Sequence, residues 1–534
     1  SLSLELFDLA AGCSLTNGDF VSLKLLSGQV IARGRSYEDK LNVLYFVTCS
    51  LASSFKLPES IEKGLDVLSQ LGVELELGGS GTSEGVEVCV EGTKDLLSTY
   101  TYDELLNTRR MTDSTMIMAM KFLSTLMIGL AQTSSATQVA QQIIQLSLTH
   151  GMSPVSPLGF VHLGSYLAQL GDIRGGYNYV KLACSLLDKL ESRECASEVI
   201  CISTQVVSYV EPLQATLEYY DKGCAAAMAS GDIFQASFNM FLGHTSHFFA
   251  GMKLQTTREK GEEVIKFMNA RNVLIFNIPV QHMQNMVLHL IGLDEEPKDV
   301  SAGEENISEN MKTSYYFQKL YISFIFRMFD DTKAYAEKFL AWNVSNTWVN
   351  LWVSYSFYTF YIGLVSFWVA RNSRDEEQWY ERGNKSKLAL RKWAETSQWT
   401  FENKWFLLEA EEAFCNGNFD DAKVYYEKAV TSAKTHKFVH EEALACELAA
   451  YFYLEIGEAN KAVDYCLLAH EKYQEWGAIG KCTSLFKFFE GVMNKRVDSS
   501  PAIVNEVQSE LAHLLSEDSL GSAEVRKRRV DDHS

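Results

Sequence analysis

Proline is scarce in this chain, seven residues in 534. Helix breakers are few while Leu, Ala, Glu and Lys are abundant, so long helices with short breaks fit better than a sandwich or barrel. Positive charge is in deficit: 48 Lys and Arg face 68 Asp and Glu, a net charge of −20. Such a surface repels phosphate backbones, which excludes nucleic-acid binding by the body of the chain. The one basic run, Arg526–Arg529, reads as a solvated tail ahead of a nuclear signal. Eleven cysteines are scattered without CxxC or Cys/His ligand spacing. Cys184, Cys446 and Cys466 sit among apolar helical residues and read as small core hydrophobes in a reducing, cytoplasmic compartment. The N-terminus has no initiator Met, no basic n-region and no apolar h-region, because Glu5 and Asp8 interrupt the leucines. It starts in mid-repeat, so the chain is expected to be a piece of something longer. Long uncharged runs are also missing, with one exception. Trp348–Ala370 carries no charge for 23 residues, enough to cross a bilayer. Yet it includes Asn350, Thr359 and three tyrosines, and its aromatics are not gathered at two interfaces. Enclosure by neighbouring helices is favoured over membrane spanning.

What the chain does have is a recurring turn. Gly417 is followed by Ala422 and Ala429, five and twelve residues on; Gly457 by Ala462 and Ala469; Gly171 by Gly176 and Ala183; Gly231 by Ala236 and Gly243. A spacing of seven is two helical turns, so both small residues lie on one stripe where a second helix can approach closely. Gly417 and Gly457 lie forty residues apart, within the range of helical-hairpin repeats. The expected fold is all-α, a right-handed α-solenoid of helical hairpins that works by holding partners.

Residues 1–77 read as two hairpins, turning at Asn17–Phe20 and near Phe55–Glu59, with Pro58 suited to the first turn of the next helix. Residues 78–98 cluster glycine, serine and glutamate without a helical period and read as a flexible linker, with Val86–Val90 a short strand at most. Middle repeats fill 99–293, with Met111-Thr112-Asp113 capping one helix, Ser134-Ser135 opening another, and hairpins at Gly171 and Gly231. The acidic, apolar-poor stretch 294–312 reads as a mobile loop. C-terminal repeats occupy 313–495. There Phe329-Asp330-Asp331 takes the turn slot with Ala334 and Ala341 at the familiar offsets, and a charged helix covers Glu376–Thr396. A polar tail, 496–534, is read as disordered.

No catalytic, cofactor-binding or metal-ligating residue is assigned. Gly477-Ala478-Ile479-Gly480-Lys481-Cys482 is the nearest thing to a phosphate loop. That motif needs four residues between its glycines and a hydroxyl straight after the lysine; here there are two, and a cysteine. Gly78-Gly79-Ser80-Gly81 lacks the strand and helix of a dinucleotide fingerprint. His436 and His440 stand four apart, but a helix boundary is expected between them. His244 and His247 share a face with Phe248 and Phe249, which favours packing over metal binding. No GxSxG elbow appears. The positive candidate is a surface: exposed aromatics on the concave side of such an array contact peptides or another domain. Trp379, Trp393 and Trp399, set among charges, are the candidate partner-binding residues.

The Gly417 and Gly457 units match the tetratricopeptide pattern, with Tyr425, Tyr426 and Tyr465 as bulky packers. Over Phe438–Leu454 (FVHEEALACELAAYFYL) and Tyr473–Lys481 (YQEWGAIGK) the chain resembles the C-terminal end of the helical region in large signalling proteins. Those combine a predicted AAA/STAND-type ATPase with a tetratricopeptide-like superhelix, often with a Ser/Thr kinase-like domain in front and GAF and histidine-kinase modules behind. Asn17–Phe20, Ser36–Leu41, Met111–Asp113, Leu146–Gly151 and Leu170–Tyr177 occur at similar places in that helical region, so the resemblance covers about residues 1–490. It implies a cytoplasmic, non-catalytic scaffold, the arm that receives a protein or peptide partner or a neighbouring ATPase or kinase domain. The family's nucleotide-binding and kinase motifs would lie before Ser1. The alternative is therefore a fragment of an ATP-binding signalling kinase or ATPase whose catalytic domains lie upstream.

Overall fold

The computed structural model describes residues 2–54, 56–75, 77, 83–130, 135–293, 309–343, 352–373 and 376–496. The described residues form twenty-four α-helices and no strand; the single β-type contact is an isolated bridge between Arg110 and Met152. The first group is α1 (Leu2–Thr16), α2 (Phe20–Arg33), α3 (Leu41–Ser53) and α4 (Leu57–Gln70). Next come α5 (Ser83–Leu97), α6 (Tyr102–Leu106), α7 (Ser114–Leu130), α8 (Ser135–His150), α9 (Ser156–Gln169) and α10 (Ile173–Leu190). Then follow α11 (Ala196–Val207), α12 (Leu213–Ser230), α13 (Ile233–Phe249), α14 (Leu254–Ala270) and α15 (Leu274–Ile291). The array continues as α16 (Glu309–Ile325), α17 (Phe329–Asn343), α18 (Ser354–Asn372) and α19 (Glu376–Thr396). It ends with α20 (Gln398–Cys415), α21 (Phe419–Thr435), α22 (Val439–Glu455), α23 (Ala459–Trp476) and α24 (Ile479–Arg496). Successive helices pack on one another down the chain, as a solenoid of hairpins requires.

The turn rule is general, and glycine is only its commonest carrier. Gly417 ends α20 at φ +73, and the next amide, that of Asn418, returns to the carbonyl of Ala413 at 2.8 Å. Arg327 and Lys437 hold the same left-handed conformation at φ 60 and 62 without being glycine. Five and twelve residues after most such turns the side chains are buried: Leu23 and Val30 after Gly18, Glu442 and Ala449 after Lys437, Cys482 and Phe489 after Gly477, whereas Thr256 and Glu263 after Gly251 are exposed. Small residues are therefore one solution at these positions; larger ones serve where the neighbouring helix stands further off. The closest approach is between α9 and α10, where a Cβ on Gly164 would lie 2.6 Å from the carbonyl oxygen of Gly176.

Two expectations need correction. Residues 83–97 are helix, not linker or strand. Val86, Val90, Thr93 and Leu97 fall at spacings of four, three and four, and the last three are buried against α8 and α9. Gly85 and Gly92 dilute that pattern at about 1 kcal/mol each in propensity, which burial of the stripe outweighs; residues 78–82 lie outside the described residues. The turn before α17 lies at Arg327, two residues ahead of the expected slot. Thr332 and Phe339 are the buried pair, while Ala334 and Ala341 face solvent. The charged side chain at the left-handed position concealed the register.

Other expectations hold. The uncharged stretch becomes α18, buried at every position from Phe360 to Ala370. Phe357 stacks on Phe249 at 4.5 Å, and Tyr358 lies 4.1 Å from Phe317. Among the described residues no helix is long and apolar enough to cross a membrane. The Glu376–Thr396 helix has the bounds expected. Most of the acidic stretch (294–308), the polar tail from 497, and Trp348 lie outside the described residues.

Candidate functional site

Long-range contacts tie the C-terminal helices to the middle ones. Trp399, at the start of α20, donates its indole Nε1–H to the carbonyl of Val210 at 2.9 Å, across a sequence separation of 189. Gln214 on α12 reaches the carbonyl of His436 at 3.3 Å, a separation of 222. Trp476, ending α23, donates to the carbonyl of Met252 at 3.0 Å, a separation of 224. Along the same line Gly171 meets the Lys392 ammonium, Gly251 meets the His440 ring, and Gly292 meets Gly480. On the C-terminal side the rungs advance by one hairpin each, while on the middle side the first two, Val210 and Gln214, flank the start of α12, so the C-terminal repeats run alongside the middle ones.

That seam engages two of the three candidate tryptophans. Trp379 is 2% exposed and packed in the core, with the Arg382 guanidinium 4.8 Å from its ring. Trp393 packs edge-on to Tyr209 at 5.7 Å and beside Phe401 at 5.8 Å. Trp399 keeps 37% of its surface exposed, but its polar edge is spent on the Val210 carbonyl. Trp379 is core and offers no exposed contact, Trp393 is half-buried against the core, and Trp399 is a seam residue with one open face. Indoles are amphipathic and suit a buried seam as well as a partner, and a local charged context does not separate the two.

The same enclosure buries charge. Helix α22 is buried at every position from His440 to Ala450, including Glu441, Glu442 and Glu447. Glu441 accepts from the Lys404 ammonium at 2.7 Å and the Asn403 amide at 2.5 Å; Lys404 also donates to the carbonyl of Thr400. Burial pulls the Lys404 ammonium below its ordinary range and pushes the Glu441 carboxyl above its own, and contact between them opposes both effects. Glu447 accepts from Lys481 at 2.5 Å and from the Tyr473 hydroxyl at 2.7 Å. Between α18 and α20, Arg371 meets Glu411 at 2.7 Å, and Tyr426 donates to the other carboxylate oxygen at 2.6 Å. Nothing in the sequence analysis singled out these pairs. The available signal was charge within helices otherwise apolar all round, such as Glu447 between Cys446 and Leu448.

These groups are engaged with one another. Lys481, the cation of the phosphate-loop lookalike, is 1% exposed, bonded to Glu447 and to the carbonyl of Ile325, and its glycines form the turn from α23 to α24. His436 caps α21 and His440 opens α22, so the expected boundary separates them. His247 bonds Thr257 at 2.9 Å, while His244 sits buried beside Gly261. Burial lowers the His244, His247 and His282 imidazoles to about 4, and that of His440 to about 3, with nearby Lys260, Lys319 and Lys404 adding to it. Among the described residues no group of three or more His, Cys, Asp or Glu side chains could hold a metal ion. Cys446 and Cys466 are buried as expected, and desolvation raises both thiols. The arrangement can therefore hold helices in register. No family model matches the chain, and no curated protein matches it.

Proposed function

We propose that this chain is a non-catalytic helical-repeat scaffold, the protein-interaction or sensing arm of a STAND-like signalling ATPase. The observation that carries this reading is the engagement of Lys481 by Glu447 and the Ile325 carbonyl, which leaves the one phosphate-loop lookalike without a free cation. The resemblance over Phe438–Lys481 supplies the ATPase context. The cross-tied array supplies a stiff body suited to transmitting a load between two contacts. A sensing arm of this kind keeps its inner helices permanently covered and offers its outer ridges and ends to a partner or to a neighbouring domain in the cytoplasm. The test is a fluorescent-nucleotide titration and a phosphate-release assay on purified residues 1–534. No saturable ATP binding and no turnover are expected. Turnover that disappears in Lys481→Ala, with the helical signal intact, refutes the scaffold reading.

A further inference from the structure

Three inter-helix connections converge beside α7 and line a half-open cavity of about 290 Å³. They are the segment before α7 containing Arg110 and Met111, the link Met152–Val155 between α8 and α9, and the link from α10 to α11 near Glu194. Main-chain bonds hold them together: Met111 N–H to Met152 O at 2.9 Å, and Met152 N–H to Arg109 O at 2.8 Å. Arg110 Nη2 donates to the Lys189 carbonyl at 3.0 Å, and Cys195 Sγ to that of Pro154 at 3.3 Å. Gly151, at φ +105, lies so close to this frame that a Cβ would come within 2.7 Å of Arg109 O. The cavity walls are thus fixed before any ligand arrives, the usual condition of a small-molecule site, and its size falls at the lower end of such sites.

Met111, Ile117, Met152, Val155 and Leu190 make its lining apolar, two of them methionines that adapt to ligand shape. At the mouth, Lys121 is neutralised by Glu194 at 3.2 Å. Arg110 then sets the local sign, since the Lys189 carbonyl takes one of its five N–H donors. A guanidinium fork beside an apolar slot matches a planar carboxylate on a short hydrocarbon body.

We propose that this cavity binds a small aliphatic carboxylate, with the chain among the two methionines and the carboxylate on Arg110. Such a ligand would tie three hairpins of the array together at one point. The test is titration of residues 1–534 with octanoate, and with n-octanol as the neutral control, followed by calorimetry and the methyl resonances of ¹³C-labelled methionine. Saturable single-site binding is expected, shifting two methionine methyls, with octanoate at least tenfold tighter than octanol. Arg110→Ala, at an exposed position, is expected to abolish that preference. Ile117→Phe, which fills the slot from a half-buried position, is expected to remove both ligands, with circular dichroism confirming that each variant is folded. The proposal is overturned by an absence of saturable binding, by undiminished octanoate binding in Ile117→Phe, or by an unchanged carboxylate preference in Arg110→Ala.

Discussion

Acidification should unfold this protein well above the pH at which its carboxylates titrate. His244, His247, His282 and His440 are each at least nine-tenths buried, and burial holds their imidazoles neutral down to about 4, or about 3 for His440. In the unfolded chain each takes up a proton near pH 6.5. The folded-state values are depressed, so the unfolded state binds more protons as pH falls. Their contribution to stability is intact above about pH 6.5 and is lost progressively down to about pH 4. Between pH 7 and pH 5 each imidazole costs about 2 kcal/mol on this linkage, so the four together cost about 7 kcal/mol. That is comparable with the whole net stability of a typical fold, about 5–15 kcal/mol. Asp232 and Glu442, whose carboxyls burial pushes up, take protons earlier in the folded state and offset part of the loss. The assay is urea unfolding followed by far-UV circular dichroism at half-unit steps from pH 7.5 to 5. Wild type should lose stability with a slope of two to four protons between pH 6 and 5, and His440→Gln or His282→Gln should each lower the slope by about one proton. A slope below one proton for the wild type would refute the account of these imidazoles as neutral packing groups.

Lys404→Met should lower stability by about 3–5 kcal/mol, because it strands the Glu441 carboxylate in a dry interior, and Lys404→Met with Glu441→Leu should recover most of that loss; thermal and urea midpoints of the single and double variants measure both. Gly176→Val should cost about 3 kcal/mol by forcing α9 and α10 apart at the Gly164 carbonyl, read as a lowered urea midpoint. Lys437→Gly should raise stability by about 1 kcal/mol by relieving a left-handed conformation at an exposed turn, seen as a higher midpoint with unchanged helical content.

The fold was legible where a local rule sufficed. Gly417 and Gly457 announce themselves because glycine marks the left-handed turn, and the alanines that follow lie at a spacing only a packed helix needs. The same turn at Arg327 was misplaced by two residues, since nothing in a charged side chain signals a positive φ. Helix α5 was missed because two glycines weakened a stripe whose stability comes from tertiary burial. The candidate surface was legible only in part. Trp379 lies in α19, which packs on its sequence neighbours α18 and α20. Trp393 and Trp399 meet Tyr209 and Val210 across a seam whose long separations leave no trace in local periodicity.

The chemistry of that seam explains why a scaffold with so apolar an interior retains such specific polar side chains. The last carbonyls of any helix lack partners within the helix and must find donors when the end is covered. Here long side chains cross in both directions: Trp399 to Val210 beyond α11 and Trp476 to Met252 beyond α13 from the C-terminal repeats, and Gln214 to His436 at the cap of α21 from the middle ones. Lys481 does the same for Ile325, the last residue of α16, while its remaining charge is met by Glu447. A carbonyl acceptor tolerates any residue at its own position, whereas the donor must keep both reach and an N–H. The register of the two sets of repeats is therefore carried by a few tryptophan, glutamine and lysine side chains. Replacing such a donor by an equally large apolar residue should loosen the seam without emptying the core, because the carbonyl it leaves behind loses its donor.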